Sequence, residues 1–348
     1  MIPSEAPAGR AAQRRRRQQQ EQRRRRRQRQ QRTVGAALAA VTALAIALVA
    51  ARGETTASAN GTSATTTTAA TTTAATATAP TTSTTTPAPL VWSKTTVTMA
   101  YGGLTRSYLL VRPVGVTSPL PVVVALHGHS VTTAFEDDRM GFEAVTGPAI
   151  LVFPAGTDQS WNAGHCCTPA ETNGVDDVGF IDAVARQALA SVPGADPRRL
   201  YLVGYSNGGK MALTLACSDA VGWRGVAVFG AASVRACPSP APVSLLDSAS
   251  SGDPEMTIGP GGTPQTAETF VQPTLTEQIA SARTAAGCSA PASTATAGTL
   301  TTTTWSCAGG RRVQLALYAG GSHAWPAAGA TTPGDTATIW AFFTSLGT

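Results

Sequence analysis

Short uninterrupted apolar runs alternate with amphipathic stretches along the chain from residue 90 onward. Uninterrupted runs are typical of strands buried on both faces, whereas apolar residues at every third or fourth position are typical of helices packed on a sheet. The alternation predicts an α/β fold, with a mostly parallel sheet and helices on both of its faces. The runs that predict strands are TVTMAYGGLTRSYLLVRP, as two strands joined at Gly102-Gly103, PVVVALHG, PAILVFPAG, RLYLVGY, WRGVAVFGA, PVSLLD and RRVQLALYAG.

The amphipathic stretches lie between these runs. They predict helices in AFEDDRMGFEAVT, DDVGFIDAVARQALASV, NGGKMALTLAC, TLTEQIASARTAAGC and TATIWAFFTSLG. Asp176 or Asp177 is the expected N-cap of the second helix, because a carboxylate at that position accepts hydrogen bonds from the first free N–H groups. Together these elements predict one domain over residues 90–348.

The first 89 residues differ in composition and predict no folded domain. Residues 10–32 contain twelve arginines among glutamines, so residues 1–32 are expected to form a disordered arm. That arm dominates the charge, because residues 1–54 carry +10 and residues 55–348 carry −4 of the net +6. Residues 53–89 are nearly all Thr, Ala, Ser and Pro, a composition typical of an extracellular stalk.

An apolar segment, residues 33–52, follows the arginines directly. Its uncharged part, Thr33–Ala51, has nineteen residues, close to the length of a membrane-spanning helix. Ala57-Ser58-Ala59 offers a small-residue cleavage site, so the segment is either a transmembrane signal anchor or a removed signal peptide. The arginines keep the N-terminus cytoplasmic, and both alternatives export the rest of the chain. We therefore expect an extracellular domain, a membrane partner if the segment is uncleaved, and no nucleic-acid partner.

All six cysteines lie beyond the stalk, and an even number of cysteines in an exported domain predicts disulfide bonds. The simplest local pairs, each closing a short excursion between neighbouring elements, are Cys217 with Cys237 and Cys288 with Cys307. The adjacent Cys166 and Cys167 predict either a vicinal bridge or separate partners. A metal site that combines them with His165 is the weaker interpretation, because adjacent cysteines lack the usual ligand spacing.

The segment Gly204-Tyr205-Ser206-Asn207-Gly208 matches the GxSxG pattern between a predicted strand and a predicted helix. In that context the serine sits in a strained turn with its hydroxyl exposed, and the glycines avoid collisions with the neighbouring strand and helix. The alternative is a glycine-rich turn without chemistry. The flanking elements favour a nucleophile at Ser206.

A serine nucleophile needs an acid and a histidine base that follow it along the chain in this order. Of the four histidines, only His323 in GGSHAWP follows Ser206. The acid should follow the strand PVSLLD. We favour Asp253, because a carboxylate in the loop can turn toward the imidazole ring; Asp247 at the end of the strand is the alternative.

The oxyanion hole of such a site needs two backbone N–H groups aimed at the developing negative charge. Asn207, directly after the nucleophile, is expected to supply one of them. His129, directly after the strand end LHG, is expected to supply the other, with Ser130 as the alternative.

The motifs RSYLLVRP, PVVVALHG, WNAGHCC, VDDVGF, DPRRLYLVGYSNGGKMA and GGSHAWP occur in this order over about residues 95–345. Together they resemble the extracellular polyhydroxybutyrate depolymerase and feruloyl esterase family of the α/β-hydrolases. The resemblance implies Ser206 as nucleophile and His323 as base. The family's acid usually lies in an HGTxD stretch shortly before a Gly-Gly pair. This chain keeps an Asp-Pro at Asp253 and the pair Gly261-Gly262 but replaces the His-Gly-Thr, which supports Asp253.

The resemblance implies a serine esterase that hydrolyses polymer-linked or aryl esters through an acyl-enzyme, without a metal or organic cofactor. Trp161 and Trp325 flank the predicted site in sequence and are candidates to line a substrate groove. Two other functions would use the same fold. One is a cell-envelope acyltransferase, in which an acceptor outcompetes water, and the other is a non-catalytic binding module displayed on the stalk. The acyltransferase would need the same serine, histidine and acid, whereas a binding module has no reason to keep a strained serine turn, so these residues argue against the binding module.

Overall fold

The computed structural model describes residues 89–259, 265–267, 270–289 and 292–347. The predicted arm (1–32), the apolar segment (33–52) and all but the last residue of the predicted stalk lie outside the described residues. Within the described ranges, no helix is both long enough and apolar enough to cross a membrane.

Ten strands form one twisted layer through the described domain. In chain order the described strands are β1 (Trp92–Tyr101), β2 (Leu104–Pro113), β3 (Leu120–Leu126), β4 (Ile150–Pro154), β5 (Ala195–Tyr205), β6 (Gly225–Phe229), β7 (Leu245–Ser250), β8 (Thr266–Ala267), β9 (Phe270–Val271), β10 (Ser293–Ala297), β11 (Leu300–Ser306) and β12 (Arg312–Tyr318). The short strands β8 and β9 pair only with each other. The other ten have the spatial order β1-β2-β4-β3-β5-β6-β7-β12-β11-β10.

The centre of the sheet is parallel and its two margins are antiparallel. The strands β4, β3, β5, β6, β7 and β12 run parallel to their neighbours in this set. The hairpin β1–β2 extends one edge and the hairpin β10–β11 extends the other. Because the carboxyl ends of parallel strands meet at one edge of a sheet, loops that follow the central strands converge there.

Five helices are described, and they cover both faces of the sheet. They are α1 (Thr133–Met140), α2 (Asp177–Ser191), α3 (Asn207–Ser218), α4 (Leu275–Ala286) and α5 (Asp335–Ser345). Alternate residues of β3 separate the two faces: Val122 and Val124 pack with α2 and α3, whereas Val123 packs with α5. The predicted α/β-hydrolase fold class is confirmed. Asp176 is the N-cap of α2, since its carboxylate accepts from the N–H of Gly179 at 3.0 Å.

Two elements differ from the sequence-based expectation. The hairpin β10–β11 was not predicted, because β10 (STATA) is exposed along its whole length and carries no apolar run. The strand predicted as PVSLLD continues to Ser250, so Asp247 lies inside β7 rather than at its end. The second difference bears directly on the choice of the acid.

The described cysteines form three disulfide bonds. Cys217 bonds Cys237, Cys288 bonds Cys307, and the adjacent Cys166 and Cys167 bond each other. The Cys288–Cys307 bond closes the base of the unpredicted hairpin, where the two residues also form an isolated antiparallel bridge.

Candidate active site

Ser206 lies in a sharp turn between β5 and α3. Its φ of 52° and ψ of −117° are a combination that residues with a side chain rarely adopt, and the N–H of Ser206 donates to the carbonyl of Phe229 on β6 at 3.0 Å. A Cβ at Gly204 would lie 2.2 Å from the carbonyl oxygen of Gly208. A Cβ at Gly208 would lie 2.3 Å from the carbonyl oxygen of Leu126. The turn therefore requires both glycines, for the steric reason that the GxSxG pattern implied.

Ser206, His323 and Asp253 form one continuous hydrogen-bonded chain. The Oγ of Ser206 lies 2.8 Å from Nε2 of His323, and Nδ1 of His323 lies 2.7 Å from Oδ2 of Asp253. A carboxylate only accepts, so the proton on the ring belongs on Nδ1 and leaves Nε2 free to accept from the serine hydroxyl. The second carboxylate oxygen of Asp253 accepts from the backbone N–H of Glu255 at 2.8 Å, which fixes the carboxylate's orientation.

Neighbouring strands bring the acid and the histidine together. Asp253 follows β7 and His323 follows β12, and β7 and β12 are adjacent parallel strands. The loops after them are joined by three hydrogen bonds: Ser251 N to Tyr318 O at 2.8 Å, Gly252 N to Gly320 O at 3.0 Å, and Gly320 N to Ser251 Oγ at 2.8 Å. These contacts make the two loops one rigid support.

The structure places Asp253, and not Asp247, against His323. Asp247 is fully buried inside β7, where its Oδ2 accepts from Nε2 of Gln278 at 2.5 Å. Burial raises the pKa of Asp247 to about 8, with the nearby Asp335 adding to the rise and the bond from Gln278 opposing it. Asp247 is thus a core carboxyl group that holds α4 against the sheet.

The two predicted oxyanion donors, the N–H groups of Asn207 and His129, belong to residues that line the same cleft as Ser206. The N–H of Asn207 belongs to the first turn of α3, where backbone donors have no partner within the helix. His129 follows β3 and lines the same cleft as Ser206. The alternative donor, Ser130, is already engaged, because its N–H donates to the carbonyl of Gln159 at 2.8 Å. This leaves His129 as the donor available on that loop.

A buried network supports the loop that carries His129. The N–H of Gly156 donates to Nε2 of His127 at 2.9 Å, and Nδ1 of His127 lies 2.8 Å from the carbonyl of Gly128. Nε2 therefore accepts and the ring proton is on Nδ1. Burial lowers the pKa of His127 to about 4, so this histidine is a neutral structural group at neutral pH.

Neither of the two candidate tryptophans lines the surface of a substrate groove. Trp161 is fully buried; its indole N–H donates to the carbonyl of His127 at 2.9 Å, and its ring contacts the His127 ring. Trp325 is half-buried, with its indole N–H bonded to Thr336 at 3.0 Å and its ring edge-on to Tyr205. The expectation that Trp161 lines a substrate groove was wrong, because the side chain is enclosed in the core. The Trp325 ring packs against the rings of Tyr205 and Phe229.

A cleft of about 340 Å³ opens at the turn. Its walls combine the residues of the proposed chemistry with charged groups, and comprise His129, Val131, Arg139, Cys167, Tyr205, Ser206, Asn207, Lys210, Glu255 and His323. Neither candidate tryptophan is among them. In the part of the chain that the structure describes, no cluster of three or more His, Cys, Asp or Glu side chains is arranged to hold a metal ion.

Several side-chain contacts of this site were not predicted from the sequence. The hydroxyl of Tyr205 donates to the carbonyl of His323 at 2.9 Å, and the side-chain amide of Asn207 bonds both the N–H and the carbonyl of Trp161, at 2.8 and 3.1 Å. Oε2 of Glu255 lies 3.6 Å from Nε2 of His323. Tyr205 and Asn207 are the variable positions of GxSxG, so the motif located them without indicating what their side chains contact.

Comparisons with known proteins show which proteins the chain is similar to. It is 32% identical over 191 residues to feruloyl esterase C of Emericella nidulans, covering 51% of this chain and 66% of that enzyme. It is 28% identical over 275 residues to NocK of Nocardia uniformis subsp. tsuyamanensis, a protein named as an esterase, covering 71% of this chain and 77% of NocK. The chain spans 43% of the length of the Aspergillus niger feruloyl esterase C that it also matches. No protein-family model matches the chain.

Among solved structures, an acetyl xylan esterase from Aspergillus awamori superimposes with a TM-score of 0.52 at 14% identity, over 72% of this chain and 99% of that one. At this identity the likeness concerns the fold. The fold and the site define the chain as an α/β-hydrolase. Within that class it is a relative of the feruloyl esterases, which confirms the family resemblance carried by its motifs.

Proposed function

We propose that the protein is an exported serine esterase that hydrolyses carboxylic esters through an acyl-enzyme. The observation that carries this proposal is the chain of hydrogen bonds from Ser206 through His323 to Asp253, at 2.8 and 2.7 Å. It is supported by the sequence similarity to feruloyl esterases. A serine hydroxyl is a weak nucleophile by itself, and this arrangement supplies both the base and the group that orients it.

The proposed reaction has two halves. Ser206 Oγ attacks the ester carbonyl carbon while its proton moves to Nε2 of His323, and that proton then passes to the departing alcohol oxygen. Water next attacks the acyl-serine while Nε2 takes its proton; that proton then returns to Ser206 Oγ as the acyl–oxygen bond breaks and the carboxylic acid leaves. Asp253 keeps the ring proton on Nδ1 and stabilises the imidazolium that forms in each half.

The tetrahedral intermediate carries a negative oxygen that needs fixed donors. The N–H groups of Asn207 and His129 are proposed to bind it, and the N-terminus of α3 adds the positive end of the helix dipole. Rigid support for these donors comes from the Asn207 amide, which holds Trp161, and from His127, which holds Gly128 and Gly156.

Polymer-linked or aryl esters are the proposed substrates, of the feruloyl, acetylxylan or hydroxybutyrate type. Feruloyl esterase C of Emericella nidulans and the structural neighbour are named for feruloyl and acetylxylan esters, respectively. The cleft lies at the protein surface beside exposed loop residues such as His129, so a chain-linked ester can approach it. Export is supported by the three disulfide bonds, which persist in oxidising compartments.

A fluorophosphonate probe together with an ester panel tests the proposal. We expect the probe to label Ser206 in the full-length protein and Ser206→Ala to abolish turnover of p-nitrophenyl acetate. Ser218→Ala, which removes a serine from the other end of α3, serves as the matched control and should retain turnover. Feruloyl, acetylxylan and hydroxybutyrate oligomer esters then rank the substrates. An unlabelled wild-type protein without turnover would overturn the proposal, and acyl transfer to an added sugar in preference to water would indicate an acyltransferase instead.

A further inference from the structure

Lys210 is a charged residue in the cleft that the proposed hydrolysis does not use. It lies in the first turn of α3, four residues after Ser206, which is the N-cap of that helix. The N–H of Lys210 donates to the carbonyl of Ser206 at 2.9 Å, and the side chain lines the cleft beside Ser206 and His323. Because helical side chains tilt toward the N-terminus, the ammonium is directed back toward the serine turn.

The ammonium of Lys210 has no oxygen partner among the described residues. Its nearest polar contact is Sγ of Cys166, at 3.9 Å, and a disulfide sulfur is only a weak acceptor. Burial lowers the pKa of Lys210, and the more distant Glu255 and Asp253 oppose that shift. A cation that is largely withdrawn from water without a strong acceptor gains most from an anion placed against it.

The other charges at the cleft do not supply that anion. Arg139 is a second cation there, and it is already engaged, with Glu136 at 3.4 Å and with its guanidinium stacked on the Tyr205 ring at 4.6 Å. Glu255 is a carboxylate at the cleft; its side chain is 58% exposed, and its Oε2 lies 3.6 Å from Nε2 of His323. The Lys210 wall of the cleft is therefore positive and has space for a ligand.

We propose that Lys210 is a specificity-determining residue that binds a carboxylate of the ester substrate, so that the enzyme prefers esters carrying an anionic group close to the scissile bond. The inference rests on the proposed function, since Ser206 must be the nucleophile for the cleft to be the substrate site. It extends that function by naming a substrate class, the esters of acidic molecules.

Two pairs of esters test the preference on the two sides of the bond. Mono-p-nitrophenyl succinate and its neutral methyl ester carry the charge in the acyl group. Para-acetoxybenzoate and its neutral methyl ester carry the charge in the alcohol. For each pair, the ratio of kcat/KM for the anionic ester to that for the neutral ester is measured, and intrinsic differences in reactivity cancel when ratios are compared between variants.

Three full-length variants are compared with the wild type. Lys210→Met removes the charge at similar volume, Lys210→Arg keeps it, and Lys94→Met is the matched loss of a lysine that pairs with Asp137 and Glu143 outside the cleft. We expect Lys210→Met to lower the ratio about tenfold or more in at least one pair, as for loss of a hydrogen bond to a charged group. Lys210→Arg should recover part of the ratio, and Lys94→Met should leave it unchanged.

The outcomes separate this inference from the proposed function. An unchanged ratio in both pairs for Lys210→Met would overturn the inference. This includes the case in which both members of each pair lose activity equally, which would indicate a general electrostatic or structural role. The proposed function itself fails if the wild type cleaves none of the four esters, or if the Ser206→Ala variant cleaves them as fast as the wild type does. In either case this inference fails with it.

Discussion

The hydroxyl of Tyr205 donates a hydrogen bond to the backbone carbonyl of His323, at 2.9 Å. The residue directly before the proposed nucleophile therefore holds the backbone of the proposed base, across 118 residues of chain. The two rings also contact each other, with centroids 5.4 Å apart. The position of the imidazole relative to Ser206 thus depends on Tyr205 as well as on the His323 loop.

Tyr205→Phe removes this bond and keeps the ring. We expect kcat on p-nitrophenyl acetate to fall about fivefold with little change in KM, because a hydrogen bond of about 1 kcal/mol no longer restrains the histidine loop. Tyr201→Phe is the matched control, since the Tyr201 hydroxyl on the same strand donates to Phe343, away from the cleft, at 3.3 Å. An equal loss of kcat in both variants would show that Tyr205 contributes only to the stability of the fold.

Asp253→Asn and Asp247→Asn decide between the two candidate acids. Asparagine at 253 no longer holds the ring proton on Nδ1 of His323, so kcat should fall roughly 10³- to 10⁴-fold. Asp247→Asn should change kcat by less than about threefold, because the residue is enclosed in β7 and bonded to Gln278. Steady-state kinetics of both variants provides the measurement, and the opposite ranking would assign the acid to Asp247.

Gly230→Ala tests how closely the backbone at Gly230 packs against His323 and Asp253. Gly230 has a φ of +60°, and a Cβ there would lie 3.0 Å from Cε1 of His323 and 3.3 Å from Oδ2 of Asp253. We expect the added methyl group to displace the His323–Asp253 pair and lower kcat by at least about tenfold. Gly222→Ala is the control, because Gly222 has a φ of +76° with no atom within 4 Å of its Cβ position. Gly222→Ala should lose stability through the same backbone strain but retain kcat; similar kcat values for the two variants would contradict the expectation.

The pH dependence of stability should reflect two fully buried carboxyl groups. Burial raises the pKa of Asp247 to about 8 and that of Asp335 to about 7, from an ordinary value of 3.8. The folded protein keeps protons that the unfolded chain releases, so the free energy of unfolding should decrease as the pH rises from about 4 to about 8. The stabilising contribution of the protonated groups is complete below about pH 4 and lost above about pH 8.

Asp247→Asn checks this sign. Asparagine mimics the protonated acid without releasing a proton, so the gain in Tm of the variant over the wild type should be clearly larger near pH 8.5 than near pH 5. For a domain of this size, about 1 kcal/mol corresponds to roughly 2–4 °C. Thermal unfolding at the two pH values measures the difference, and a Tm difference that is the same at both would contradict a buried protonated Asp247.

The pattern of apolar and polar residues along the chain predicted most of the fold, because the central strands are buried on both faces. Runs such as PVVVALHG and RLYLVGY are short and predominantly apolar, and such runs between amphipathic stretches are typical of strands buried on both faces. The hairpin β10–β11 was not predicted, because β10 is exposed along its whole length and the hairpin is attached to the sheet through the pairing of β11 with β12. A strand that is held by hydrogen bonds to a neighbouring strand, and not by burial of one face, does not need apolar residues at alternate positions.

By itself, the sequence determined the serine turn, its glycines and the order of serine, acid and histidine, because these depend on local backbone geometry and on strand order. Only the tertiary structure decided between Asp253 and Asp247 as the partner of His323, since the end of β7 is set by pairing with β12 up to Ser250. It also decided that Trp161 is core and that Lys210 faces the cleft. These outcomes depend on contacts between residues far apart in the chain, which no local pattern records.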